Sequence, residues 1–165
     1  MAQPEAWLRG PIEGIAPVLQ PAAHALVQAQ EDVASLAPGL SSGKLWRESG
    51  AATAGFHLLH MAGALDRLFT YARGEVLNDA QKAAAKAESV PHPELTGDAL
   101  SALVQASVLR ALDQLRATPA ETVLEHRGIG RAGLPSTVLG CLFHGAEHTA
   151  RHAGQFVTTV KLASQ

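Results

Sequence analysis

Three histidines recur at intervals of four residues near the end of the chain, at His144, His148 and His152. The surrounding residues have the apolar spacing of a helix, and four residues make about one turn of an α-helix. The three imidazoles therefore project from one side of the predicted helix. Histidine is the commonest metal ligand in proteins, and imidazoles one turn apart are a recognised chelating pair. The spacing predicts a metal site.

A solvated helix surface is the simplest alternative explanation for this row of histidines. Such surfaces are usually built from Lys, Glu, Arg and Gln, whereas here only Glu147 and Arg151 flank the histidines and Cys141 shares their side. Three histidines in register therefore favour a metal site over a solvated face. Cys141 lies about two turns, roughly 10 Å, from His148. We interpret it as a small core residue and not as a ligand.

A pair of histidines one turn apart on one helix supplies only two metal ligands, which leaves such a site incomplete. Transition-metal sites that do chemistry usually have three protein ligands and an open position. The predicted helix over 51–73 offers two further histidines, His57 and His60. His57 lies closer to the apolar stripe of that helix and His60 lies on its flank, so periodicity does not choose between them. Three imidazole nitrogens from two helices suit Zn, Ni, Fe or Cu.

Helices must position these side chains, and helical periodicity dominates the chain. Apolar residues recur at helical spacing in four long stretches, while the alternation typical of strands is nearly absent. Four long helices with apolar stripes predict an all-α four-helix bundle, in a single domain over 1–165. Pro17 and Pro21 fall within the first stretch, so that this helix is kinked there or starts after them. The predicted helices cover 11–36, 51–73, 98–117 and 136–162.

Two connecting segments carry weaker patterns. Residues 78–89 have high helix propensity but no apolar face beyond alanine, which predicts a short solvated helix or a connector. The stretch 118–135 contains three glycines and is interpreted as an irregular loop, where substrate recognition is expected. In the helix over 136–162, with Ser136 as predicted N-cap, the apolar stripe and the histidine stripe fall on nearly opposite sides of a helical wheel.

Composition narrows the class of protein. A chain of 165 residues, 47% of them hydrophobic, is long enough and apolar enough to bury a core. A net charge of −2 without a Lys/Arg cluster predicts no nucleic-acid partner. The chain has no apolar run of about 18 residues or more and no N-terminal signal-peptide pattern, so we expect no membrane partner. A single cysteine fits a reducing compartment, and we expect a cytoplasmic protein.

The residues around the two groups of histidines resemble a known family. The segment from Phe56 to Gly74, FHLLHMAGALDRLFTYARG, and the segment from His148 to Gln155, HTARHAGQ, are similar to the DinB/YfiT-like metalloenzymes. These are the DNA-damage-inducible DinB proteins, which are unrelated to the polymerase of the same name. The resemblance extends from residue 46 to residue 162. It implies a four-helix bundle with a long crossover connection that binds one divalent metal through three histidines.

Carried onto this chain, the family pattern makes His60, His148 and His152 the metal ligands and leaves His57 as the alternative to His60. Family members often have an arginine directly after the last ligand, where this chain has Ala153. The implied metal is Zn or Ni, with Mn or Fe as alternatives.

The resemblance also implies chemistry, because several members of the family use a low-molecular-weight thiol such as bacillithiol, mycothiol or glutathione. A metal-bound thiol is deprotonated, and the thiolate is the nucleophile. We therefore expect a transferase that joins a thiol cosubstrate to small electrophilic substrates. The alternatives are a metal-dependent hydrolase that uses a metal-bound water, and a metal-binding stress-response protein without turnover. His144 is expected either to line the cleft or to support the ligands from beside them, and Glu147 is expected to support them. A homodimer is one expectation for the assembly.

Overall fold

The computed structural model describes residues 3–48 and 50–163, so the two ends of the predicted domain over 1–165 lie outside the described residues. Across the described ranges, no helix has both the length and the apolar character needed to cross a bilayer. The helices are α1 (Gln20–Leu36), α2 (Ser42–Leu45), α3 (Ala54–Ala72), α4 (Asp79–Ala87), α5 (Gly97–Ala117) and α6 (Val138–Ala163), with short 3-10 turns at Ala6–Leu8, Pro17–Leu19 and Ala120–Thr122.

Four of these helices, α1, α3, α5 and α6, pack side by side as a bundle. Helix α6 packs most extensively on α3 and then on α1, and α5 packs on the same two helices. The order around the bundle is therefore α1, α6, α3 and α5. The chain crosses the bundle diagonally from α1 to α3 and again from α5 to α6. This arrangement confirms the predicted all-α four-helix bundle with a long crossover connection.

The core lies between the four long helices and is built mainly from leucine and alanine. The apolar stripes predicted for α3 and α5 supply much of it, because each helix turns its stripe toward its neighbours. Helical spacing also predicts Val18 in the apolar stripe of the first helix and Leu103 in that of α5, but both side chains are exposed. The largest fully buried side chains are Phe156, Leu19, Leu26, Leu45, Leu58, Met61, Leu65, Leu100, Leu115, Leu142, Val33 and Val104.

Local chemistry explains where the site-bearing helix α3 and the first long helix α1 begin. Helix α1 begins at Gln20, directly after a 3-10 turn, and carries Pro21 in its first turn, where a missing N–H costs no helical hydrogen bond. The first predicted helix therefore starts late rather than bending at its prolines. At the start of α3, the hydroxyl of Thr53 accepts a hydrogen bond from the backbone N–H of Phe56 at 3.2 Å.

The stretch 118–135, predicted as an irregular loop, contains most of a β-hairpin. Strands β1 (His126–Ile129) and β2 (Leu134–Thr137) pair antiparallel, and Gly130 and Gly133 take positive φ angles in the turn between them. Strand β2 runs directly into α6. The hydroxyl of Thr137 accepts from the backbone N–H of Gly140 at 3.0 Å, so that Thr137 and not Ser136 caps this helix. The strands are four residues each, which is too short to give a periodic signal.

The helical wheel predicted that the apolar and histidine stripes of α6 lie on nearly opposite sides. In the structure they do not. Cys141 is 2% exposed and belongs to the core, while His148 and His152 are half-buried at the edge of the same buried face. The reason is that α6 packs against both α3 and α1, so that the buried face covers more than half of its circumference. At Gly145 α3 comes close, because a Cβ there would lie 2.9 Å from Cε2 of Phe69.

Candidate metal centre

One histidine of α3 meets two histidines of α6 across the helix pair that packs most extensively. Nε2 of His60 lies 2.8 Å from Nε2 of His148, and the ring of His152 is centred 4.6 Å from that of His60 and 4.5 Å from that of His148. One possible ligand atom from each of the three residues lies within 4.8 Å of the other two. The structure therefore brings together the three side chains that the family resemblance selected. Their role as metal ligands stays a prediction.

The second nitrogen of His60 is held by a buried carboxylate. Nδ1 of His60 lies 2.7 Å from Oε2 of Glu88, the residue that follows α4, and Glu88 is only 5% exposed. Burial opposes ionisation of Glu88, but the hydrogen bonds from His60 and Arg67 outweigh it and hold the pKa of this carboxyl below its usual range. An ionised carboxylate only accepts hydrogen bonds, so Nδ1 of His60 carries the hydrogen. In the neutral ring, Nε2 then carries a lone pair, and this nitrogen lies 2.8 Å from Nε2 of His148.

A notch in α3 admits this carboxylate. Gly63 and Arg67 lie one and two turns beyond His60, on the same face of α3. Nη1 of Arg67 donates to Oε1 of Glu88 at 2.5 Å and Nη2 donates to Oε2 at 3.3 Å. A Cβ at position 63 would overlap Oε1 of Glu88 and crowd the guanidinium of Arg67. Only glycine at this position leaves room for the carboxylate between the histidine and the arginine.

Helix α4, predicted as a short solvated helix or connector, delivers Glu88 to this notch. Asn78 and Gln81 form a capping box at its start. The side-chain amide of Gln81 also donates to Oδ2 of Asp66 at 2.6 Å and to the hydroxyl of Thr70 at 2.8 Å, which ties α4 to α3. None of the residues of α4 itself is buried. The segment is therefore a solvated helix, as predicted, that is fixed at both ends by polar contacts.

His57, the alternative to His60, lies next to His152 instead of completing the group of three. Its Nδ1 is 3.0 Å from Nδ1 of His152, and its side chain is 5% exposed. Burial, followed by the neighbouring charge of His60, lowers the pKa of His57. Phe56 stacks on the ring of His60, with centroids 5.1 Å apart and planes 15° apart. The contact with His57 occupies Nδ1 of His152 and leaves its Nε2 available to the site.

Burial favours the neutral form of His148 and His152, the two clustered histidines of α6. Burial, followed by the charge of His60, lowers the pKa of His148, and the same two causes lower the pKa of His152 to about 4. Neutral imidazoles are the form that binds a metal. Nδ1 of His148 is buried and has no hydrogen-bond partner within the part of the chain that the structure describes.

The other two predicted site residues, His144 and Glu147, lie at the exposed rim. The ring of His144 is centred 5.5 Å from that of His148, and its Nδ1 is 3.5 Å from Oε2 of Glu147. Glu147 accepts hydrogen bonds from Arg151 at 2.8 and 2.6 Å, and these bonds lower the pKa of its carboxyl. In residues 3–48 and 50–163, neither side chain hydrogen-bonds to the three clustered histidines. Their supporting role stays a prediction.

A cleft opens beside the cluster, between the segment that precedes α3 and the last turns of α6. Its volume is about 470 Å³, and its wall includes His57, Arg151 and Gln155 together with small and apolar side chains. Because His57 contacts His152, a molecule in this cleft would lie next to the histidine cluster. None of the three clustered histidines lines the cleft, and His57 lies between the cleft and His152.

Sequence reasoning missed Glu88, and one signal for it was present. Gly63 interrupts an apolar helix one turn after His60, and a glycine inside a helix usually has a packing reason. The carboxylate that fills the notch, however, comes from a separate segment whose alanine-rich pattern gives no register. For this reason the sequence predicted that all of 78–89 is solvated, although the side chain of Glu88 is buried.

Comparison with protein families gives a match to the DinB superfamily over residues 25–156. A comparison with curated proteins found no match. The matched range includes all four long helices in whole or in large part, and it contains His60, His148 and His152. A family match over this much of the chain, on a fold of the expected kind, shows that the protein belongs to the DinB superfamily.

Proposed function

We propose that this protein is an enzyme that depends on one divalent transition metal and activates a low-molecular-weight thiol for transfer to a small electrophile. His60, His148 and His152 would hold the metal. The observation that carries the proposal is the convergence of these three imidazoles, with Nδ1 of His60 occupied by a buried carboxylate. Metal-binding histidines commonly donate their second N–H to such a carboxylate.

The donor set fits a divalent transition metal. Three imidazole nitrogens suit Zn or Ni, and the lowered pKa values of His148 and His152 favour the neutral rings that such a metal needs. A metal bound there would lower the pKa of a thiol and so supply a thiolate nucleophile near neutral pH.

The chain's own residues determine which thiol can react. Cys141 is buried in the core, and burial raises the pKa of its thiol, so it is a poor nucleophile. The reacting thiol must therefore come from solution. The cleft beside His57 has room for a small molecule, and Arg151, which is paired with Glu147, lies at its wall. Resemblance to family members that use such thiols supports this choice of cosubstrate.

The metal can be tested first. Protein purified without a histidine tag would be analysed for metal by mass spectrometry, alongside His60→Ala, His148→Ala and His152→Ala. His126→Ala is the matched control, because His126 is exposed on strand β1. We expect one equivalent of bound metal in the native protein and in the control. We expect the three site variants to lose the metal. A native protein that binds no metal after reconstitution with Zn, Ni, Mn and Fe would overturn the proposal.

The thiol can be tested on the cobalt-substituted protein. Bacillithiol, mycothiol and glutathione would be added in turn, and a thiol that reaches the site would produce a sulfur-to-cobalt charge-transfer band. The thiol that gives the band is then assayed with a panel of small electrophiles. Absence of the band with every thiol would reject the transferase. Hydrolysis of an ester or amide from a test panel would then identify a hydrolase. Absence of any turnover would indicate a metal-binding protein without catalytic activity.

A further inference from the structure

We propose that Glu88 is a positioning residue of this metal centre, which fixes the tautomer and orientation of His60 so that its Nε2 faces the metal. Gly63 makes the space for the carboxylate and Arg67 holds it there. The inference rests on the proposed metal-binding function and assigns a role to the segment between α3 and α5.

The three clustered histidines differ in how their second nitrogens are held. Nδ1 of His60 is bonded to a carboxylate, Nδ1 of His152 contacts another imidazole, and Nδ1 of His148 has no hydrogen-bond partner among the described residues. The bond from His60 to Glu88 is thus the only charge-assisted bond to a ring of the cluster in the described part of the chain. A charge-assisted bond is shorter and stronger than a neutral one, so it determines the ring orientation most firmly.

The burial of Glu88 is not explained by stability alone. Within residues 3–48 and 50–163, Glu88 is the only buried carboxylate. Helix α4 buries none of its own residues, so this segment gives the core almost no apolar surface. A buried ion pair usually stabilises a protein no more than an apolar replacement would. What the segment does supply to the interior is a carboxylate placed 2.7 Å from a ring of the histidine cluster.

The glycine in α3 supports the same assignment. Glycine inside a helix is less favourable than alanine, yet at position 63 any side chain would overlap Glu88. Helix α3 has two glycines: Gly55 faces the ring of Trp46, and Gly63 lies where the carboxylate of Glu88 approaches. Gly154 of α6 offers a contrast, because a Cβ there would meet nothing within 4 Å.

The test measures Zn(II) affinity by competition with a chromophoric chelator, in the full chain and two variants. Glu88→Gln keeps the shape of the side chain but removes its charge. Gly63→Ala displaces the carboxylate without removing any ionisable group. Gly154→Ala is the matched control for the glycine, and Glu94→Gln, an exposed carboxylate, is the control for the charge.

We expect Zn(II) affinity to fall roughly 10- to 100-fold in Glu88→Gln and in Gly63→Ala, and to stay unchanged in both controls. The visible spectrum of the cobalt-substituted protein should change in the same two variants, which a merely structural role of Glu88 would not cause. Long-range proton–nitrogen NMR should show the Nδ1–H tautomer of His60 in the native protein and its loss in Gly63→Ala. Circular dichroism of the metal-free variants checks folding, and Gly63→Ala decides the question if Glu88→Gln does not fold.

Two negative results have different meanings. A native protein that binds zinc, with variants that bind it equally tightly and give an unchanged cobalt spectrum, would overturn the role of Glu88 alone. A native protein that binds neither zinc nor cobalt would overturn the proposed function and this inference with it.

Discussion

Nε2 of His60 and Nε2 of His148 lie 2.8 Å apart, although the two residues are separated by 88 positions in the chain. The contact joins α3 to α6, the pair of helices that packs most extensively. The candidate site is therefore part of the bundle itself and depends on the spacing of these two helices. Anything that binds between the two imidazoles should also affect the stability of the fold.

We predict that the bound metal stabilises the native protein. A ligand at 100 times its Kd adds about 2.7 kcal/mol to the free energy of unfolding, which for a domain of this size raises Tm by roughly 5 to 10 °C. Differential scanning calorimetry with zinc, and then with EDTA, would measure this shift. The double variant His148→Ala/His152→Ala should show no shift, and an equal rise in this variant would locate the zinc elsewhere.

His57 should support the site without being a ligand. In His57→Ala, Nδ1 of His152 loses its contact at 3.0 Å, so we expect metal affinity to fall roughly 10-fold while the stoichiometry stays at one. Titration calorimetry would give both values, with His126→Ala as control. Complete loss of the metal in His57→Ala, with retention in His60→Ala, would exchange the roles of the two histidines.

The fold could be predicted from the sequence because its long helices have long apolar stripes. Helix α5 was expected over 98–117 and extends over Gly97–Ala117. The hairpin could not be predicted in this way. Its strands have four residues each, and the pattern of β1 alternates only between exposed and half-buried positions. The hairpin also packs on α3 and α6, which a local pattern does not reveal.

Less of the site could be predicted, for a similar reason. Spacing along one helix placed His148 and His152 on one side of α6. The choice between His57 and His60 depends on how α3 and α6 are rotated against each other, which periodicity does not determine. Family resemblance selected His60, and the structure brings it to the cluster. Glu88 could not be found from local pattern, because its burial depends on a notch in another helix.

We predict that Cys141 is unreactive in the native protein. It is 2% exposed and burial raises the pKa of its thiol, so at pH 7 to 8 little of it is thiolate and reagents cannot reach it. Ellman's reagent should label native protein far more slowly than protein in guanidinium chloride. Cys141→Ala should keep any thiol-transfer activity. Loss of activity in a folded, metal-containing Cys141→Ala would show that the protein's own thiol takes part in the reaction.

The distance between α3 and α6 at Gly145 should control metal affinity. A Cβ at this position would lie 2.9 Å from Cε2 and 3.2 Å from Cδ2 of Phe69, closer than packed atoms tolerate. Gly145→Ala should therefore push the helices apart or displace the phenyl ring, at a cost of about 1–3 kcal/mol in unfolding free energy. Because His148 lies one turn further along α6, its distance from His60 should increase and zinc affinity should fall.

The smaller side chain in Phe69→Leu tests this cause directly. Alone, it removes buried ring atoms and should lower stability without changing zinc affinity. In the double variant Gly145→Ala/Phe69→Leu, part of the lost zinc affinity should be restored, because the smaller leucine leaves room for the new methyl group. Such a double-mutant cycle measures the coupling between the two residues. Additive effects on affinity would mean that Gly145 acts on the site by some route other than its contact with Phe69.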